Sequence, residues 1–253
     1  MSKYDPTSRK RLKQTKAYKN NTFLSSREAR NIRIQCEMTE PAMRLKRLGV
    51  DHMITFFGSA RLGKEDGFDN PDYDAAYKLA AKLGTWSLQI NKNYTPYKRK
   101  GNIGISSGGG PGIMEAVNRG ASDAGCKSIG MGISLPFEQH NNDYVSPELD
   151  FEFHYFFTRK YWCVYLSKAY ILMPGGVGTM DELFEVLTLI QTKKLTLKVP
   201  IVLYGKDFWN SVINFEKLVE YGTISRDDLN LFKVCDDIDE AYDYITSNIV
   251  LDL

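Results

Sequence analysis

Short apolar runs alternate with longer amphipathic runs along the chain from about residue 50 onward. In residues 73–88, apolar side chains recur at the i, i+3, i+4, i+7 spacing of a helix that buries one face. The pattern predicts six strands, at 53–57, 103–106, 128–134, 151–156, 169–173 and 199–204. It predicts helices at 73–88, 113–123, 159–167 and 180–192, near 207–221, and at 238–249.

Strands that alternate with crossover helices form a parallel sheet covered on both faces. The predicted fold class is therefore α/β, with a doubly wound parallel sheet flanked by helices in one large domain at 50–253. Residues 24–48 are mostly helical in pattern, with an interruption expected before Pro41 because a residue that precedes proline avoids the α conformation. Residues 1–49 then form a basic tail and a helical extension packed on the same domain.

Composition changes this picture little. The 253 residues are 43% hydrophobic and 25% charged, as in ordinary soluble proteins, and a net charge of +2 gives no reason to expect nucleic acid as a partner. No apolar run approaches the roughly 20 residues that span a bilayer, so no membrane association is expected.

The four cysteines lie far apart without a Cys-x-x-Cys pair, which indicates reduced thiols in a cytoplasmic protein.

The basic N-terminal segment, MSKYDPTSRKRLKQTKAYKNN, has no apolar stretch behind it and is not a secretory signal. We interpret it as a solvated or partner-docking tail, because charge runs are usually solvated. The alternative interpretations are a transit-like segment and a nucleic-acid-binding arm.

Two glycine-rich loops follow predicted strands, GGGPG at 108–112 and PGGVGT at 174–179. In an open parallel sheet, ligands bind beyond the carboxyl ends of the strands. Glycines there let backbone N–H groups approach an anion, and the following helix adds a partial positive charge. Thr179 is suited to be both a helix N-cap and a phosphate ligand. Two such loops favour a nucleotide, although the glycines can also merely form tight turns.

Neither loop is a standard nucleotide motif. No Walker A sequence is present, and the 108–113 loop does not match the last position of Gly-x-Gly-x-x-Gly. The sequence therefore argues against ATP or NAD as the ligand. No cofactor is expected. The histidines show no metal-ligand spacing and no cluster of acids appears, so no metal is expected either.

Charged residues next to these loops are the candidate chemical groups. We expect Asp181 and Glu182 in the first turn of the helix that follows 174–179, where the helix dipole favours acids in any case. At most one of them can point into the cleft, where a carboxylate could orient a water or stabilise an oxocarbenium-like cation. Arg159 and Lys160 lie at a predicted helix start, where the dipole disfavours cations. They therefore face an anionic ligand or form a solvated surface pair.

The segments FFGSAR, SGGGPGIMEAVNRGA, LPFEQ, FFTRK and PGGVGTMDELFEVLTLIQTKK together resemble the Lonely Guy (LOG) family, in its bacterial branch. The resemblance covers roughly residues 50–205, and 174–182 meets the signature Pro-Gly-Gly-x-Gly-Thr-x-x-Glu in full. Members of this family are phosphoribohydrolases that release a free base and ribose 5-phosphate from nucleoside monophosphates, and many were long labelled lysine decarboxylases. The resemblance implies a Rossmann-like nucleotide-binding catalytic domain, and a homodimer that can assemble further.

The resemblance also implies roles for residues. The catalytic pair falls on Arg159 and Glu182. The residues implied to bind substrate are Ser59, Gly109, Gly110, Gly112, Lys160, Gly175, Gly176, Gly178 and Thr179. The chain departs from the plant-type sequence Met-His-Glu at 156–158, where it has Phe-Phe-Thr. That departure alters the wall expected to meet the base and leaves the core chemistry intact.

The leading hypothesis is hydrolysis of the N-glycosidic bond of a nucleoside 5'-monophosphate, of the AMP or cytokinin riboside monophosphate type. Glu182 would orient the water or stabilise the cation, and Arg159 would aid the leaving base or hold the ribose hydroxyls. The alternatives are a non-catalytic nucleotide-binding regulatory protein and a nucleic-acid-associated protein that acts through its basic arm. No other pyridoxal feature accompanies Lys160 or Lys168, which argues against a decarboxylase of that type.

Overall fold

The computed structural model of the chain describes residues 15–64, 70–92, 102–135, 140–195 and 199–251. The first 14 residues of the basic N-terminal segment, and four of the five residues of the LPFEQ motif, lie outside this part of the chain.

Seven parallel strands form one sheet. They are β1 (His52–Phe57), β2 (Ile103–Ser107), β3 (Ser128–Ile133), β4 (Asp150–Phe153), β5 (Ser167–Leu172), β6 (Ile201–Tyr204) and β7 (Lys233–Cys235). The spatial order is β4-β3-β2-β1-β5-β6-β7. The chain builds the sheet outward from β1 to β4 and then returns to the other side of β1, so the topological switch point lies between β1 and β5.

Helices cover both faces of the sheet, which confirms the predicted α/β class. They are α1 (Asn21–Leu24), α2 (Arg30–Arg47), α3 (Pro71–Asn91), α4 (Ile113–Asp123), α5 (Phe156–Tyr165), α6 (Val177–Gln191), α7 (Lys206–Val212), α8 (Phe215–Glu220) and α9 (Ile238–Asn248). Short 3-10 helices lie at Ala17–Lys19, Pro147–Leu149 and Arg226–Leu231.

Strand β1 shows how the sheet organises the core. Its side chains alternate, with Ile54 and Phe56 in one apolar cluster beneath α3, α4 and α9, and Met53 and Phe57 in a second cluster. The second cluster lies on the opposite face beneath α2, α5, α6 and α7. Leu45 of α2 belongs to this cluster and is buried, so the N-terminal helical layer packs on the same sheet. Within the described residues, no helix is long and apolar enough to cross a membrane.

The expected interruption before Pro41 is wrong, because α2 runs unbroken from Arg30 to Arg47. Proline lacks an N–H, so in a helix the carbonyl four residues earlier loses its donor. Here that carbonyl belongs to Glu37, and the indole Nε1 of Trp162 donates to it at 2.8 Å. A tertiary contact thus compensates for the missing helical bond, and the helix continues through the proline.

Strand β7 was not predicted, because three residues are too few to show an alternating pattern. The single helix expected near 207–221 is two helices, α7 and α8, separated at residues 213–214. The strand expected at 151–156 ends at Phe153, and α5 begins at Phe156, three residues before Arg159.

Helix α6 begins at Val177, three residues earlier than predicted. Gly176 is its N-cap, so the expectation that Thr179 caps the helix is wrong. The early start also moves the two acids out of the first turn, which contains no acidic residue. Asp181 and Glu182 therefore lie one turn deeper along α6, and the helix dipole does not account for them.

Candidate active site

A cavity of about 720 Å³ opens at the carboxyl ends of the strands, at the switch point between β1 and β5. Open α/β sheets bind ligands at this position. Segments that follow β1, β2, β3 and β5 line it together with β4 and α5. Its lining residues include Ser59, Arg61, Gly108, His140, Asn141, Asp150, Glu152, Phe156, Arg159, Gly176, Val177, Gly178, Thr179 and Glu182.

The start of α6 forms one end of this cavity. No side chain among the described residues caps the first turn of the helix, whose N-cap is Gly176. A β-carbon on Gly176 or Gly178 would meet nothing within 4 Å, so the backbone there is open to a ligand. Thr179 is buried in the cavity wall. Uncapped N–H groups and the positive end of a helix dipole make this end of the cavity suited to an anion.

Gly175 has a different role in the same loop. A β-carbon on it would collide with the side chain of Thr179, so the turn closes over the threonine only because the residue is glycine. Gly175 lines a second cavity of about 490 Å³, and Ser59 lines both cavities. The predicted contact of these two residues with substrate stays a prediction.

The other glycine loop lies mostly behind the cavity wall. Gly108 lines the cavity, whereas Gly109, Gly110 and Gly112 are buried and do not. Gly109 and Gly112 have φ of 76° and 67°, in the left-handed region that favours glycine. A β-carbon on Gly112 would lie 2.6 Å from backbone oxygens of the loop after β1. These two glycines hold the loops together, and their predicted contact with substrate stays a prediction.

Arg159 of α5 and Glu182 of α6 meet at the floor of the cavity, where Nη2 donates to Oε1. The glutamate side chain is 2% exposed and the arginine side chain 13% exposed. Among the described residues, neither Glu182 Oε2 nor Arg159 Nε has a hydrogen-bond partner. Because buried polar atoms are almost always satisfied in folded proteins, such atoms beside a cavity point to a ligand.

Burial raises the pKa of the Glu182 carboxyl above its ordinary value, and the charge of Arg159 opposes that shift. A shifted carboxyl in a cleft, next to a cation and with one oxygen unpartnered, has the properties of a candidate catalytic group.

Lys160 forms ion pairs with two other carboxylates of α6. Its Nζ lies 2.9 Å from Asp181 Oδ2 and 2.7 Å from Glu185 Oε2, so it ties α5 to α6 beside the cavity. Burial lowers the pKa of Lys160, but the two carboxylates outweigh it and the net pKa is raised. Lys160 does not line the cavity, and its predicted contact with substrate stays a prediction.

Sequence reasoning missed several polar residues of the cavity wall. Asp150 and Glu152 lie on the same face of β4, and Glu152 accepts a hydrogen bond of 2.7 Å from Ser134. Their i, i+2 spacing on a strand was the available signal. Asn141, which donates to Asp150, and His140 follow a segment without recognisable periodicity, so no comparable signal existed for them.

The four cysteines are free thiols, and three of them, Cys126, Cys163 and Cys235, are buried. Cys163 lies on α5 near the Arg159–Glu182 pair, and burial raises its pKa to about 12, so it remains a protonated thiol at neutral pH. Within the described ranges, no group of three His, Cys, Asp or Glu side chains is arranged to hold a metal ion.

Comparison with known proteins agrees with the sequence motifs. The family described as "Possible lysine decarboxylase" matches residues 114–245. A protein named cytokinin riboside 5'-monophosphate phosphoribohydrolase LOG4, from Arabidopsis thaliana, is 33% identical over 193 residues, which are 75% of this chain and 78% of that protein. The Arabidopsis thaliana protein of the same name designated LOG3 is 33% identical over 177 residues, which are 68% of this chain and 71% of that protein.

A solved structure shares the fold at low sequence identity. It is a molybdenum cofactor binding protein from the phototrophic bacterium Rippkaea orientalis, with a TM-score of 0.50 and 19% identity, covering 78% of this chain and 96% of that one. At this identity the likeness concerns the Rossmann-like fold alone. With more than half of its length matched and its signature loop at the start of α6, the chain belongs to the Lonely Guy (LOG) family.

Proposed function

We propose that this protein hydrolyses the N-glycosidic bond of nucleoside 5'-monophosphates of the AMP or cytokinin riboside monophosphate type. The products are the free base and ribose 5-phosphate. The observation that carries the proposal is the buried Arg159–Glu182 pair, whose unpartnered atoms lie at the floor of a cavity that ends at an uncapped helix start.

The 5'-phosphate binds at the start of α6. The amides of Val177, Gly178 and Thr179 supply N–H donors there, and Gly176 leaves room for the phosphate oxygens. Arg61 lines the cavity and adds a positive charge. Binding of the 5'-phosphate holds the anomeric carbon of the ribose above Arg159 and Glu182. The binding energy of this group, which does not itself react, can then be used to stabilise the transition state.

The reaction breaks the bond from C1' to the base nitrogen and forms a bond from C1' to a water oxygen. The electron pair of the broken bond leaves with the base, and a proton from water ends on the base nitrogen. Glu182 Oε2 accepts a hydrogen bond from the attacking water and stabilises the positive charge that grows on the sugar. Arg159 offsets the burial of this carboxyl and so favours its ionised form.

The names of the Arabidopsis relatives support a substrate of the cytokinin riboside 5'-monophosphate type. Base preference depends on the wall where this chain has Phe156 and Phe157 instead of the plant-type Met-His. Phe156 lines the cavity and is 54% exposed, so we propose that it meets the base.

A panel of nucleoside 5'-monophosphates, assayed for free base, tests the proposal. Wild-type protein releases adenine from AMP, and Glu182→Gln and Arg159→Ala lower kcat by about 100-fold or more. Equal activity in the wild type and both variants would show that these residues are not catalytic. AMP binding without release of base from any monophosphate would support the regulatory alternative.

We propose that the protein is a homodimer. An aromatic ridge on α5, formed by Phe157, Tyr161 and Tyr165 at i, i+4, i+8, is exposed by 57%, 38% and 63%. The rings of Tyr161 and Tyr165 stack with centroids 5.0 Å apart. Large exposed aromatic surfaces mark interaction sites, and a second copy of this chain would cover this one.

A further inference from the structure

The side chain of Glu37, on the N-terminal helix α2, binds the start of α5. Glu37 Oε1 accepts a hydrogen bond from the backbone N of His154 at 2.9 Å. Glu37 Oε2 accepts one from the backbone N of Tyr155 at 3.4 Å and one from the hydroxyl of Thr158 at 2.5 Å. Both oxygens of one carboxylate are therefore used by the residues immediately before Arg159.

These contacts supply a cap that α5 lacks in its own sequence. Tyr155 is the N-cap of α5, and no side-chain cap bond comes from Tyr155 itself. In a capping box, an acid at the third helical residue accepts from the N-cap N–H. The third residue of α5 is Thr158, which has no carboxylate. Glu37 takes the place of that acid from another helix, and its negative charge also suits a helix N-terminus.

The main chain of Glu37 contributes a further contact. Its carbonyl, left without a helical donor by Pro41, accepts the bond from Trp162 Nε1 one turn later on α5. Arg44, two turns further along α2, donates to the carbonyl of Asp150 at 2.6 Å, and its guanidinium lies 4.2 Å from the ring centroid of Phe151. Helix α2 thus holds both α5 and β4, two elements of the cavity wall.

We infer that Glu37 is a positioning residue for the reaction proposed above, acting through the first turn of α5 on Arg159. The inference rests on the proposed function for its kinetic consequence only. Arg159 follows Thr158 directly and its backbone N donates to the Tyr155 carbonyl at 3.3 Å, so a turn that loosens at Tyr155 moves the arginine. Misplacement by about 1 Å of a group that aligns reactants can cost roughly 100-fold in rate.

The test compares Glu37→Gln with Glu40→Gln in the full chain. Glutamine at 37 keeps the size of the side chain but loses the charge and one of the two acceptor oxygens. Glu40 lies on the same helix, is 54% exposed, and bonds to Arg44. We expect Glu37→Gln to lower kcat for AMP at least about tenfold with KM within about twofold, and Glu40→Gln to leave both unchanged.

A second readout does not depend on turnover. Carbon-13 NMR titration of labelled glutamates, with Glu182→Gln to assign the signal, measures the pKa of Glu182. In Glu37→Gln, a less firmly held Arg159 raises that pKa above the wild-type value, whereas Glu40→Gln leaves it unchanged. A purely structural contact would lower the melting temperature and leave this pKa where it is.

The outcomes separate the two proposals. A raised Glu182 pKa in Glu37→Gln supports the positioning role, even if no variant, including the wild type, releases base, in which case the proposed function fails by itself. An unchanged Glu182 pKa together with wild-type kcat in Glu37→Gln overturns the positioning role. An unchanged pKa with reduced kcat overturns it as well, because the arginine would then not have moved relative to Glu182.

Discussion

Arg159 and Glu182 face each other from adjacent helices and are joined by one hydrogen bond. Each has one further buried polar atom that lacks a hydrogen-bond partner among the described residues. The pair is separated by 23 residues in sequence and joined by the parallel strand β5. Strand and helix geometry therefore fixes the positions of the two side chains.

The free energy of unfolding of Glu182→Gln, relative to that of the wild type, is expected to increase as pH rises. Burial holds the folded-state pKa of Glu182 above its unfolded value of about 4.5, so the folded protein binds the proton more tightly. The contribution of the Glu182 carboxyl to wild-type stability is fully present below its unfolded-state pKa. It is lost as pH rises through the folded-state pKa. Urea unfolding of both proteins from pH 4.5 to 8 measures the difference.

A Glu182→Gln difference that stays flat over this pH range would contradict the raised pKa of Glu182.

Gly175→Ala is expected to destabilise the fold by about 1–3 kcal/mol, because its methyl group would collide with Thr179. Gly178→Ala, three residues later in the first turn of α6, meets open space and should change stability by no more than about 1 kcal/mol, in the favourable direction. Thermal or urea unfolding of the two variants decides this. Equal losses would mean that the turn does not close over Thr179.

Lys160→Met is expected to lower stability while changing the KM for AMP by less than about twofold, because Lys160 joins α5 to the carboxylates of α6. Steady-state kinetics and thermal unfolding are the measurements. A KM raised about tenfold or more at unchanged stability would place the ammonium group on the substrate, as the family resemblance implied.

Tyr161→Glu is expected to separate the proposed dimer, because it places a charge in the middle of the aromatic ridge on α5. Light scattering after size exclusion should give twice the chain mass of 28.8 kDa for the wild type and the single mass for the variant. Tyr221→Glu, at a tyrosine exposed by 76% outside the ridge, should remain a dimer. A monomeric wild-type protein would refute the homodimer directly.

The sequence predicted the sheet well where its strands are long and apolar. Residues of β1 and β5 are nearly all buried, so continuous apolar runs marked them. Strand β7 contains only Lys233, Val234 and Cys235, and its place at the sheet edge depends on pairing with β6, which no local pattern encodes.

Within the site, the same limit separates local from tertiary information. The glycines at the start of α6 and the pair Arg159 and Glu182 have local signals, through loop chemistry and the family signature. Glu37 lies 117 residues from the first backbone amide that it binds, and its neighbours in sequence form an ordinary amphipathic helix. A single sequence contains no trace of such a contact.

Pro41 makes the contact between α2 and α5 recognisable in other sequences. Both bonds end on Glu37: its carboxylate accepts from Thr158, and its carbonyl, which Pro41 leaves without a helical donor, accepts from Trp162. In a relative with a similar N-terminal helix, an ordinary residue at position 41 would supply an N–H that competes with Trp162 for the Glu37 carbonyl, so we expect this proline and this tryptophan to be gained or lost together. Co-variation of Glu-x-x-x-Pro with Thr-x-x-x-Trp would therefore divide the family into members whose site helix is held from outside and members whose site helix is held by its own sequence.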